Sequence, residues 1–370
     1  MIMSELTIIN SKKTTYIEIL RIIAILLVIF NHTLNYGYMH FTTYEVGSAP
    51  YWFFMPFSVM TGINTPIFLM ISGMLLLGKQ EETFSYVLKK RIPKYLVALF
   101  LYSLFYYLCD IEFRLNDFSC KDFFTGLYSG TISVPAWFLY LYLAFLLILP
   151  VLRKVARNMN GKEFLYIAVI YLVFQALLPI LQFLIGGEQL TVNTDIRPLP
   201  ILFMAFICPV TGYYLGVVLK EIKSKQLLIF FFLFVLSVLL TCFMTHYMIS
   251  TTNRTDPVSI EYFYETTRVF RAAFIFLLIR KVFEGKEIPN SINNLILLAG
   301  SSVFGIYLLE QFFRVILFSI YIKLSSVIPC FLAVLVYVLS VFIFCLITVL
   351  LFKLPFFLIR TQSLGKRKHR

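Results

Sequence analysis

Apolar runs of about 17–25 residues follow one another along this chain, and none of them alternates in polarity. That length is what an α-helix needs to cross the hydrocarbon core of a bilayer, about 20 residues. A barrel strand would instead show segments of about 10 residues with apolar and polar positions in turn. Only helices and closed barrels satisfy the backbone in lipid, so the pattern leaves one fold class. The chain is expected to be all-α, a polytopic membrane helical bundle. Hydrophobic residues make up 60% of the 370 residues and are spread along the whole length, so no soluble domain can be cut out and 1–370 reads as a single membrane domain.

Ten spans are expected, at roughly 16–37, 51–78, 92–109, 136–152, 164–185, 198–219, 226–249, 267–283, 299–322 and 327–352. The second contains Gly62, Asn64 and Pro66 and is expected to bend or break there, because proline removes a helical hydrogen bond. With the N-terminus in the cytoplasm, the inside segments are the N-tail, 79–94, 153–163, 220–225, 280–287 and the tail from 353. They hold 2, 5, 4, 3, 3 and 6 Lys and Arg, 23 of the 32. The outside loops hold only Arg114, Lys121, Arg197, Arg254 and Lys323. This asymmetry fits ten spans with both ends inside, and it accounts for the net charge of +13 without a nucleic-acid partner. Lys12 and Lys13 precede an apolar run that Glu18 and Arg21 interrupt, with no small-residue cleavage site after it, so the first span reads as uncleaved. The six cysteines have neither disulfide-framework nor metal-site spacing.

Ionisable groups inside such spans are costly and tend to mark functional sites. Arg21 and His32 lie eleven residues apart in the first run. Eleven steps of ~100° return a helix to within ~20° of its starting direction, ~16 Å further along. The two side chains therefore face the same way, with His32 deep in the span. They read either as a snorkelling Arg and a hydrogen-bonded core His, or as an anchor and a general base. Lys89-Lys90-Arg91-Ile92-Pro93-Lys94 lies at the cytoplasmic mouth of the third span. It reads as a positive-inside signal or as a clamp for phosphates. Pro93 suits the first turn of a helix. Glu310 and Arg314 are four apart in the ninth span, near mid-depth, and either neutralise one another or line a polar cavity. Arg268 and Arg271, three apart at the outer end of the eighth span, either meet an anionic group or anchor that end. Trp137 and Tyr140, entering the fourth span from outside, suit an interfacial belt or a substrate cavity.

Taken in order, these segments resemble acyltransferase family 3, a family of integral membrane O-acyltransferases. Arg21-x2-Ala24 with His32 resembles its first-span Arg…His signature. Pro66-Ile-Phe-Leu-Met-Ile-Ser72-Gly73-Met-Leu-Leu resembles its second-span stretch, and Lys90-Arg91-x-x-Lys94 falls where the family carries a basic pair. Trp137-Phe-Leu-Tyr140 through Pro150 resembles the branch that includes the enterobacterial common antigen acetyltransferase. Phe304-Gly-Ile-Tyr307-Leu-Leu resembles a late family motif. Lys94 stands where Arg is usual, which keeps the charge but loses bidentate geometry. Glu310 stands where a His is frequent, which makes it a candidate orienter for a cationic group.

The resemblance implies transfer of an acetyl or other short acyl group from cytosolic acetyl-CoA, a donor substrate rather than a bound cofactor. The acceptor is a hydroxyl of a surface polysaccharide, lipid-linked glycan or cell-wall sugar. It implies a multi-pass protein of the bacterial inner membrane that contacts acyl-CoA, the glycan and the bilayer, but neither nucleic acid nor a metal. The oligomeric state stays open. In this reading His32 is the base, Arg21 stabilises the donor, and Arg91, Lys94 and Lys90 meet the CoA phosphates. Glu310, Arg314, Trp137, Tyr140, Arg268 and Arg271 line the substrate cavity. The alternatives are a polysaccharide exporter without acyl transfer and a membrane sensory or uptake module.

Overall fold

The computed structural model describes residues 11–79, 82–186, 197, 198, 201 and 203–367, with backbone alone for 11–14 and 354–367. The side chains of Lys12 and Lys13, the basic run from 366 to 370, and residues 199, 200 and 202 of the sixth expected span lie outside the described residues. The described residues contain helices and turns and no strand. In chain order the helices are α1 (Ser11–Asn31), α2 (Ala49–Thr61), α3 (Asn64–Leu76), α4 (Phe84–Asp110), α5 (Cys120–Ser129), α6 (Trp137–Asn158) and α7 (Gly161–Gly186). They continue with α8 (Met204–Val218), α9 (Ser224–Thr252), α10 (Pro257–Phe283), α11 (Asn290–Gly300), α12 (Val303–Ile316), α13 (Phe318–Ser325) and α14 (Cys330–Arg367).

Six helical stretches among the described residues are long and apolar enough to cross a membrane: Ala49–Leu76, Phe84–Asp110, Val134–Asn158, Gly161–Gly186, Ser224–Thr252 and Cys330–Lys353. α11 and α12, which meet at a 63° bend, are long and apolar enough for a seventh when taken together. This is the helical membrane bundle that the apolar runs require. α1 and α10 run for 21 and 27 residues. α10 carries Glu261, Glu265, Arg268, Arg271, Arg280 and Lys281, so hydropathy alone does not mark it. The expected count of ten rests on the Lys and Arg distribution for α1, α8 and α10.

Three boundaries have clear local causes. The expected break in the second span is present, between Thr61 and Asn64. Asn64 Oδ1 accepts the Thr65 N–H at 2.7 Å, and Pro66 follows in the first turn, where its missing donor costs nothing. The first span was expected to run to residue 37, but α1 stops at Asn31. Thr33 Oγ1 donates to the Phe30 carbonyl at 2.6 Å and accepts from Tyr38 N at 3.1 Å, so a side chain takes over backbone bonding. His32 therefore sits at the end of the helix rather than deep within it. The eighth span was expected to begin at 267, but α10 begins at Pro257. Asp256 accepts from Ser259 N at 3.0 Å as N-cap, with proline in the first turn. Arg268 and Arg271 are accordingly well inside a helix and not at its outer end.

The chain forms two compact units, Met1–Ile67 with Ile222–Arg370, and Phe68–Glu221. In the first, α1 packs against α2, α10, α11, α12 and α14, and its Leu20, Ala24, Ile25 and Ile29 are fully buried. In the second, α6 packs against α4 and α8. There α3 and α8 cross at backbone contact. A Cβ added to Gly73 would overlap the Pro209 carbonyl, and one added to Gly212 would overlap that of Met70. The Ser72-Gly73 motif is thus a helix-crossing point of the small-residue kind that membrane helices use. Gly73→Ala and Gly212→Ala should each destabilise this unit by about 1–3 kcal/mol through overpacking. Gly78→Ala, whose added carbon would meet only Tyr213 at 3.6 Å, should be neutral. Thermal melting of the three variants in detergent checks this ordering.

Candidate active site

Glu310 on α12 has no exposed surface. An ionised carboxylate there requires partners for both oxygens. Oε1 lies 2.9 Å from His32 Nδ1, at the end of α1. Oε2 accepts from Arg314 Nε at 3.4 Å, one helical turn further along α12. Arg314 Nη1 then reaches back to the His32 carbonyl at 3.2 Å, so the arginine ties both members to α12. A carboxylate only accepts, so Nδ1 carries the proton toward Glu310, and in the neutral imidazole Nε2 then keeps its lone pair. This is how a buried carboxylate fixes the tautomer of a catalytic histidine.

His32 and Arg314 share a cavity of about 250 Å³ with Thr33, Leu34, Tyr36, Val315, Phe318, Tyr321 and Tyr337. Leu34 at its rim adopts a left-handed backbone, φ 45°, which a branched side chain seldom takes. Backbone bonds from Gly37 N at 3.1 Å and Met39 N at 2.8 Å to the Leu34 carbonyl hold it there. The Tyr337 hydroxyl donates to the Arg314 carbonyl, fixing α12 to α14 beside the cavity.

The other expected residues of this unit are placed differently. Arg21 pairs with Glu18 at 2.7 Å, one turn back on α1, and is partly exposed. Arg271 is fully buried and donates to Ser237, Thr241 and Thr267 hydroxyls at 3.1, 3.0 and 2.9 Å and to the Tyr264 carbonyl at 2.8 Å. It fastens α9 to α10 and is not part of the His32 cavity lining. Arg268 is 6% exposed and has Glu265 at 3.7 Å.

In the second unit, the basic segment organises around a residue that the sequence did not single out. Glu82 receives Arg91 through both Nε, at 2.8 Å, and Nη2. It also receives Arg153 Nη2 at 2.6 Å. Arg153 and Arg157 of α6 further bond the carbonyls of Leu76, Leu77, Lys79 and Glu82, so two guanidinium groups cap the C-terminal end of α3. Burial alone would raise the Glu82 carboxyl, but hydrogen bonds and charge from Arg91 and Arg153 hold it down at about 2. Arg91 ends a π-helical turn, Val87–Arg91, and Pro93 stands in the first turn of the α-helix after it. Lys89, Lys90 and Lys94 are exposed. Trp137 is half exposed at the start of α6, and the Tyr140 hydroxyl donates to the Leu127 carbonyl, which ties α6 to α5. Tyr140 borders a separate apolar cavity of about 460 Å³ with Leu96, Val97, Phe100 and Leu127.

The profile of an acyltransferase domain matches residues 14–353, nearly the whole chain. The chain belongs to acyltransferase family 3. No curated protein and no solved structure matches it. Among the described residues of this membrane acyltransferase, the first unit carries the His32–Glu310–Arg314 triad with its cavity and the second the Glu82-centred arginine cluster with exposed lysines. The Glu310–Arg314 pair was readable from its four-residue spacing. Its connection to His32, across 278 residues, was not. Tyr36, Phe318, Tyr321 and Tyr337 were missed because nothing in sequence separates them from the other aromatics, 40 Phe and 23 Tyr in all. Glu82 was missed because it stands nine residues from Arg91, outside any helical register.

Two predictions follow from these geometries. Glu310→Gln keeps the shape but removes the charge that fixes the His32 tautomer. It should lower the rate of acyl transfer about 10²–10⁴-fold at unchanged protein level, as read from ester formation. Glu82 has a depressed folded-state pKa, so its stabilising contribution is full above its ordinary value of 4.5 and is lost as pH falls toward about 2. In detergent, wild type should melt above Glu82→Gln at neutral pH, and the gap should close over that window.

Proposed function

We propose that this membrane acyltransferase moves a short acyl group, in the first instance acetyl, from cytosolic acyl-CoA to a hydroxyl of a surface polysaccharide, lipid-linked glycan or cell-wall sugar. The observation that carries the reading is a histidine held by a buried carboxylate at the wall of a cavity, in a chain of this family. His32 Nε2 takes the proton of the acceptor hydroxyl as its oxygen attacks the thioester carbonyl. The new C–O bond forms, the C–S bond breaks, and the thiolate leaves and regains a proton as CoA thiol. Glu310 supports the imidazolium that forms, and Arg314 balances Glu310 while the site is at rest.

Donor recognition falls to the second constellation. Lys90 and Lys94 attract the CoA phosphates, and Arg91, gripped by Glu82, sets the geometry of the turn that presents them. Arg21 assists with the donor from the opposite end of α1. The topology that goes with this chemistry is ten spans with both ends in the cytoplasm of a bacterial inner membrane. It puts the basic cluster on the cytosolic face, where acyl-CoA is.

Mass spectrometry of ester-linked acyl groups on surface glycans tests the reading in cells carrying wild type, no copy, or His32→Ala. Esters are expected with wild type alone, with the variant present at normal level, and the added mass names the acyl group. Equal ester content in all three would overturn it. If the amount of surface glycan changed as well, an exporter would be the better description.

A further inference from the structure

Arg268 and Arg271 belong to neither the His32 site nor the Glu82 cluster. Their place well inside α10 removes one of the two roles their spacing allowed, an anchor for the helix end, and leaves the other, a contact with an anion. Arg271 has no exposed surface, and its four hydrogen bonds all go to neutral oxygens, the hydroxyls of Ser237, Thr241 and Thr267 and the carbonyl of Tyr264. No carboxylate among the described residues lies within 4.0 Å of it. A guanidinium does not shed its proton in a protein, so Arg271 carries a full charge in an apolar bundle with no counter-charge in contact. Arg268 is also buried, and its carboxylate partner, Glu265, stands at 3.7 Å and is itself half exposed.

The same region holds an excess of donors. Arg268 Nε, Arg271 Nε, Tyr38 Oη and Thr245 Oγ1 are buried atoms to which the chain supplies no hydrogen-bond partner. The two nitrogens can only donate, and the two hydroxyls can donate. Tyr264 is their common neighbour. Arg271 bonds its carbonyl, Arg268 follows it by one turn of α10, and the Tyr38 ring stands edge-on to its ring with centroids 6.1 Å apart. Thr245 is one turn of α9 from Thr241, whose hydroxyl bonds Arg271. Tyr38 is close enough to both guanidinium groups, and they to each other, to interact electrostatically. The acids in the same reach of Tyr38 are Glu261 and Glu265, and Glu261 interacts with Arg268 and His32. Buried donors without acceptors are costly, and here they surround a cation in need of negative charge. One anion answers both needs. Arg271 borders neither the His32 cavity nor the apolar one beside Tyr140, so a single-atom ion suits it better than a phosphate or a sulfate.

We propose that Arg271, with Arg268, Tyr38 and Thr245, binds one chloride-sized anion where α9, α10 and the segment after α1 meet. The anion accepts from the two Nε–H groups and the two hydroxyls and neutralises Arg271. The site does not depend on the acyl-transfer reading. Its bearing on the chain runs through Tyr38, whose backbone N–H is held by Thr33 Oγ1, the group that stops α1 beside His32. A bound anion therefore steadies the end of α1 against α10.

The test uses the full chain purified in chloride-free sodium gluconate and held in nanodiscs, with ³⁶Cl⁻ as probe at constant ionic strength. Wild type should bind about one ion per chain saturably, with bromide competing and sulfate not. Tyr38→Phe and Thr245→Val each remove one donor and keep the shape, and each should raise the chloride Kd about five- to tenfold. Arg271→Met should abolish saturable binding. Should that variant fail to fold, the two conservative ones decide. Wild type should also melt at a higher temperature in chloride than in gluconate, with a smaller gain in Tyr38→Phe. Absence of saturable binding, or a Kd unmoved in Tyr38→Phe and Thr245→Val, would overturn the proposal. So would melting that is alike in both salts and falls in Glu261→Gln, since Glu261 would then be the counter-charge.

Discussion

A carboxylate with no access to solvent keeps its charge in an apolar bundle only when both of its oxygens are met by donors. Glu310 is in that position, and much of the first unit is arranged around it. His32 must end α1 at the height of Glu310, and Thr33 must stop the helix there. Arg314 must lie one turn along α12, with its carbonyl held by Tyr337 of α14. The requirement that makes the pair tolerable in a membrane also gives the histidine a fixed tautomer and an open nitrogen at a cavity.

The second unit answers a similar constraint with the opposite balance of charge. Glu82 holds the guanidinium groups of Arg91 and Arg153, and Arg153 with Arg157 caps the end of α3, so a short connection between two membrane helices is bound through side chains rather than left to solvent. Lys89, Lys90 and Lys94 stay exposed, while Lys79 lies 3.7 Å from Glu82. The cluster that reads in sequence as a positive-inside signal or a phosphate clamp is therefore divided in its contacts. Its one arginine is gripped by Glu82 and shapes the turn, and its exposed lysines supply positive potential.

The fold class was legible because backbone satisfaction in lipid admits so few alternatives. The break before Asn64 and the Glu310–Arg314 pair were legible because both depend on local spacing. What escaped depends on distance or on competition between local bonds. Nothing within reach of a helical repeat connects His32 to Glu310. The over-long first span came from reading hydropathy past Thr33, whose hydroxyl redirects the backbone. The late start assigned to the eighth span came from weighing its charges over the Asp256-Pro257 cap, a signal that was present and not used. Arg91, read in sequence as part of a positive-inside signal or a phosphate clamp, has an internal carboxylate on two of its nitrogens, which its spacing from Glu82 does not reveal.

The central claim is that His32 presents a bare Nε2 because Glu310 takes its Nδ1 proton. The most direct measurement is the ¹⁵N spectrum of protein labelled at histidine and held in nanodiscs, with the His32 signal assigned by its loss in His32→Ala. The account predicts the neutral form of His32 as the Nδ1–H tautomer in wild type, with a shift toward mixed tautomers in Glu310→Gln. An Nε2–H tautomer in wild type, unmoved by Glu310→Gln, would contradict it, since the nitrogen facing the cavity would then have no lone pair with which to take a proton.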